Sequence, residues 1–65
     1  MTHNEKLVTV RAMQRYGGSF VRILAAAWLL ADEINEQRIE STWPNYMRAY
    51  GPGSNMYAET EKEEA

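Results

Sequence analysis

Residues 19 to 31 read Ser19-Phe20-Val21-Arg22-Ile23-Leu24-Ala25-Ala26-Ala27-Trp28-Leu29-Leu30-Ala31, with Arg22 the one charged side chain. A helix drawn through this run is apolar around most of its circumference, the mark of a helix covered on several sides. Ser19 suits the N-cap. The three consecutive alanines join high helix propensity to small size, so a second helix can approach closely there. The run therefore predicts the central element of an all-α protein, a buried helix at about residues 20 to 31. It falls short of the roughly 20 apolar residues that a membrane span needs. As a signal peptide it starts too late and ends in acidic residues. A soluble, cytoplasmic chain with no membrane partner is the expectation.

Upstream, Leu7, Val10, Met13 and Tyr16 or Gly17 recur at helical spacing, which predicts an amphipathic helix at about residues 5 to 16. Asn4 or Thr2 can cap it. Lys6, Arg11 and Arg15 then form a basic outer stripe. The β-branched trio Val8-Thr9-Val10 lowers intrinsic helix preference and makes this element depend on packing. Gly17-Gly18 reads as a helix-to-helix turn using a left-handed residue.

Downstream, Asp32 can close the central helix and cap a third at about residues 33 to 42, with Glu33 and Glu36 placed well for its N-terminus. The alternative is one continuous helix, since Phe20, Ile23, Ala27, Leu30 and Ile34 keep 3-4-3-4 spacing. The break is favoured. In either case Ile34 and Ile39 are read as facing inward, and Glu33, Glu36 and Glu40 as a solvated acidic stripe. Trp43-Pro44 starts a short fourth helix at about residues 44 to 50. From Gly51 onward glycine, serine and acidic residues dominate, which predicts a flexible acidic tail over 51–65, with Met56 and Tyr57 its only docking points. The expected architecture is a single domain over 1–50, a compact bundle of three helices plus the short fourth, followed by that tail.

Composition narrows the function. The chain has 65 residues, no cysteine and one histidine, so disulfides, thiolate zinc sites, a Cys nucleophile and a histidine cluster are all missing. No enzyme activity, metal or cofactor is expected. A core this small rarely supplies more than about 3 to 5 kcal/mol, so partner chains are a natural source of further stability. The net charge of −2 hides an uneven distribution. Lys6, Arg11, Arg15 and Arg22 against Glu5 give +3 in residues 1–31. Eight acids against Arg38, Arg48 and Lys62 give −5 in residues 32–65. The opposed faces suggest pairing between copies as one route to a homo-oligomer.

Two binding readings follow. Phe20, Trp28 and Trp43 are assigned to the core, with Trp28 or Leu29 left partly uncovered at an interface. Tyr46, Arg48 and Tyr50 have the composition of a binding hot spot. Trp28, Leu29, Tyr46, Arg48 and Tyr50 are thus the candidate contacts to a protein partner. The rival reading uses Arg11, Arg15 and Arg22 around the glycine turn as anion or DNA phosphate contacts of a small transcriptional regulator. It is the weaker one, because a recognition helix must offer several polar side chains to a groove and residues 20 to 31 offer one arginine.

The run Ala12-Met13-Gln14-Arg15-Tyr16-Gly17-Gly18-Ser19-Phe20-Val21, then Ala31-Asp32 with Asn35 and Arg38-Ile39, then Thr42-Trp43-Pro44 with Tyr46 and Tyr50, resembles a small family of phage and prophage proteins. The resemblance spans about residues 8 to 50. It implies a compact helical fold and carries over no catalytic or binding residue. Members of that family often have proline where this chain has Glu33, which agrees with a break at Asp32. A phage setting favours small helical proteins that bind and redirect a host protein or regulate transcription.

Overall fold

The computed structural model describes residues Met1 to Glu64. It is all-helical: α1 (His3–Tyr16), α2 (Ser19–Leu30), α3 (Glu33–Thr42), α4 (Pro44–Tyr50) and α5 (Asn55–Glu64).

The central element is α1, not α2. Thr2 starts it with a capping box. Its hydroxyl accepts from the Glu5 N–H at 3.1 Å, and the Glu5 carboxylate accepts from the Thr2 N–H at 2.7 Å. Lys6, Val8, Thr9, Val10, Ala12 and Met13 are all buried, so consecutive residues face different neighbours. Those neighbours are α2, α4 and α5. Two polar residues enter this crowded position because their polar atoms are satisfied. The Thr9 hydroxyl donates to the Glu5 carbonyl at 2.7 Å, which lets threonine pack as a small branched apolar residue. Lys6 buries its methylene stem and pairs its ammonium with Glu36 of α3.

The core joins Val10 and Met13 of α1 to Val21, Leu24, Ala25 and Trp28 of α2, with Ile39, Trp43, Tyr46, Met47 and Tyr50 partly buried against it. Thus α2 buries one face only. Its N-cap is Gly18, without a side-chain bond, and Ser19 is its first helical residue instead of its cap. The break at Asp32 is present: Ala31 and Asp32 are extended, and the Asp32 carboxylate accepts from the Asn35 N–H at 2.8 Å. Helix α3 buries no residue fully. Ile39 is half-buried as expected, whereas Ile34 points outward.

The glycine turn works differently from its sequence reading. Neither glycine is left-handed: φ is −79° at Gly17 and −76° at Gly18. What Gly17 provides is room, since a Cβ there would lie 2.5 Å from both the Met13 carbonyl oxygen and Val21 Cγ1, while one on Gly18 would meet nothing. Gly17→Ala is therefore expected to cost about 1 to 3 kcal/mol through overpacking of the α1–α2 corner. Gly18→Ala should be neutral or stabilising by up to about 1 kcal/mol through the unfolded chain. Urea midpoints of the two variants test this, and equal midpoints would contradict it.

Residues 51 to 64 also correct the sequence reading: they are a docked helix and its lead-in, not a flexible tail, so the unit extends past residue 50 to Glu64. Ala65, the last residue of the expected tail, lies outside the described residues. Gly53 takes the left-handed φ of 93° in the turn, and the Ser54 hydroxyl accepts from the Tyr57 N–H at 3.2 Å to cap α5. Tyr57 and Thr60 are buried. The Thr60 hydroxyl donates to the Met56 carbonyl at 2.8 Å, the same device as at Thr9. At its far end α5 pairs Glu64 with Arg11 and Glu63 with Arg15.

Burial raises the Tyr57 phenol above its ordinary 10.0, with the charges of Glu61 and Glu5 adding to the effect. The neutral phenol is thus favoured in the folded chain. Its contribution is complete below pH 10 and is lost as pH rises from there through the higher folded pKa. Tyr57→Phe should flatten the fall of stability above pH 10, as read from urea midpoints across the alkaline range. An unchanged slope would show that the phenol does not contribute.

Candidate functional site

The outer face of α2 is apolar and open. Phe20, Ile23, Ala27 and Leu30 follow one another at 3-4-3 spacing along one side of the helix. All four are exposed, Leu30 to 85%, Ile23 to 71% and Phe20 to 55%. Beyond the break, Ile34 on the first turn of α3 is also 66% exposed. Leu29 is also exposed, but on another side of the helix, beyond Arg22 and Ala26.

At the N-terminal end an aromatic rim continues this surface onto α4. The Phe20 ring meets Trp43 edge-on at 5.8 Å and Tyr46 at 6.3 Å, and Tyr46 lies 6.5 Å from Tyr50. Shallow grooves run along both sides. One, of about 460 Å³, lies between α2 and α3 and is lined by Ala27, Ala31, Ile39 and Trp43 among others. The other, of about 520 Å³, is lined by Gln14, Ser19, Arg22, Ile23 and Ala26. A ridge of branched side chains between two grooves is the shape that packs against another helix.

The residues predicted from sequence as partner contacts are distributed over three environments. Trp28 is fully buried, which removes it from any contact surface. Its indole N–H donates to Glu40 at 3.1 Å and Lys6 Nζ stands 5.3 Å from its ring centre. Tyr46 and Tyr50 are half-buried against the core, and Leu29 and Arg48 are exposed. Phe20, read as core, is more than half in water. The stripe's remaining residues were visible in the sequence as a 3-4-3-4 series. That periodicity states that the side chains share a face, but not whether the face looks inward.

The acidic stripe is likewise divided. Glu33 is exposed, whereas Glu36 and Glu40 are half-buried and engaged with Lys6 and Trp28. With Met1, Thr2 and His3 they line a small polar hollow. Its carboxylates already have partners from the chain itself. Among the described residues no group of three or more His, Cys, Asp or Glu could hold a metal ion.

Of the three arginines proposed as phosphate contacts, Arg11 and Arg15 are paired with α5 glutamates. Arg22 is exposed beside the start of the apolar stripe and makes no ion pair among the described residues. The basic face of α1 and the acidic C-terminal segment thus pair within one chain. No described helix is long and apolar enough to cross a membrane. No family model, curated protein or solved structure matches the chain.

Proposed function

We propose that this chain is a non-enzymatic protein-binding module whose contact surface is the outer face of α2 with its extension to Ile34. The observation that carries this reading is the exposure of Phe20, Ile23 and Leu30 along one side of α2, with Ile34 exposed beyond the break. Large apolar side chains scattered singly are ordinary on a surface, but a contiguous run of them marks an interaction site. Each Å² of such a surface removed from water contributes roughly 25 cal/mol. Taken with the resemblance of residues 8 to 50, the reading describes a small phage-type accessory protein of the host cytoplasm that binds a host protein or its own copy.

A photo-crosslinking side chain at Ile23 or Leu30, compared with one at exposed Glu59 of α5, tests it in cells. Adducts with protein confined to positions 23 and 30 are expected. No adduct at either position, or equal adducts at all three, would overturn the reading. The DNA-binding alternative has Arg22 as its unpaired cation. It would gain support from low-salt duplex binding that weakens with salt and with Arg22→Ala.

A further inference from the structure

We infer that the occupant of the α2 face is a second copy of this chain, with the two α2 helices antiparallel about a two-fold axis near Ala27. The inference rests on the binding role proposed for this face and names its partner.

The stripe is nearly symmetric about Ala27. Within α2, Ile23 lies four residues before it and Leu30 three after, with Phe20 at the N-terminal end. An antiparallel pair centred there sets Ile23 of one copy toward Leu30 of the other, twice over, so large side chains meet large ones on both sides of the axis. At the centre Ala26 and Ala27 oppose their counterparts. Their small size permits the close approach that ridge-into-groove packing requires. A two-fold pairing uses the same patch twice, so the patch must complement itself, and this one does.

Charge selects the same direction. Arg22 stands exposed beside the N-terminal end of the stripe, and Asp32 and Glu33 stand exposed at its C-terminal end. Antiparallel pairing brings the basic end of each copy to the acidic end of the other, twice over. Parallel pairing would set like charges together. The helix dipoles favour the antiparallel arrangement as well. Arg11 and Arg15, by contrast, are already paired within the chain, with Glu64 and Glu63.

The area is sufficient. The exposed parts of Phe20, Ile23, Leu30 and Ile34 amount to on the order of 500 Å², taking about 200 Å² for a large side chain when bare. That is in the upper part of what a monomer leaves in water, and the flanking polar residues add to it toward the roughly 800 Å² per partner of a standard interface.

Sedimentation equilibrium of the full chain, with Ile23→Glu and a charge-exchange pair, tests the inference. A dimer is expected at micromolar concentration. Ile23→Glu, which places a carboxylate in the interface twice, should weaken it about 100-fold or more while helicity is retained. Arg22→Glu and Glu33→Arg should each weaken self-association, and an equimolar mixture of the two should recover it, because their mixed dimer restores opposite charges at both ends. Since the chain has no cysteine, Ala27→Cys reports the axis directly. Mild oxidation should link it into covalent dimers, and Ala49→Cys on exposed α4 should remain largely unlinked.

A chain that stays monomeric throughout would overturn the inference. So would a dimer indifferent to Ile23→Glu, or one in which positions 27 and 49 link equally. Adducts to other proteins alone from Ile23 and Leu30 in the crosslinking experiment would defeat the second copy as occupant while sustaining the binding role of the face. Absence of any adduct would defeat the role itself.

Discussion

Trp28→Ala is expected to abolish the cooperative fold. Trp28 is the largest fully buried side chain and connects three helices: it sits on α2, donates its indole N–H to Glu40 of α3 and lies beneath Lys6 of α1. Truncating a buried tryptophan to alanine costs about 3 to 5 kcal/mol. A core of this size supplies about the same in total, so one substitution removes the margin. Circular dichroism and a urea titration check it, and a variant with native helicity and an unchanged midpoint would refute it. Trp28→Phe keeps most of the volume but leaves Glu40 without its donor. A hydrogen bond to a charged group contributes about 1.5 to 3 kcal/mol, so this variant should fold with a clearly lower midpoint.

Ending the chain after Gly53 is expected to have the next largest effect. Helix α5 contributes buried Tyr57 and Thr60, and its loss would bare the side of α1 that holds Val8 and Arg11, which line the α1–α5 groove with Glu61 and Glu64. Re-exposing a buried tyrosine and the surface beneath it costs about 3 kcal/mol. The two arginine–glutamate pairs are largely exposed and add at most about 1 kcal/mol each. The shortened chain should therefore be mostly unfolded in water, as seen by amide exchange and urea titration. A shortened chain with the full-length midpoint would show that these residues form a tail after all. Glu63→Gln with Glu64→Gln separates the two contributions: it should shift the midpoint little, because packing of Tyr57 rather than ion pairing holds the helix.

The helical punctuation was legible because it is local chemistry. Asp32 caps α3, Pro44 opens α4 and the glycine pair ends α1, and each acts within a few residues of itself. The order and type of the first four helices follow from these signals and from apolar spacing. The fifth was missed because an acidic, glycine-led segment has the composition of a solvated tail. Two residues overrule that composition: Tyr57, which buries a large ring, and Thr60, whose hydroxyl turns back onto Met56 and leaves an apolar exterior.

The candidate site was half legible for a related reason. The series Phe20, Ile23, Ala27, Leu30 and Ile34 is plain in the sequence, and so is the excess of apolar residues in α2. Whether such a stripe is core or surface depends on what stands opposite it. In this fold α1 takes the centre by burying Lys6 and Thr9 with their polar atoms bonded, and α2 is left with cover on one face. The sequence by itself determined the first four helices, the break and cap at Asp32, the proline start of α4 and the spacing that groups side chains on a face. Only the tertiary structure decided which helix is central, which cations are paired and which apolar face meets water, because those depend on contacts between segments that local propensity and periodicity do not encode.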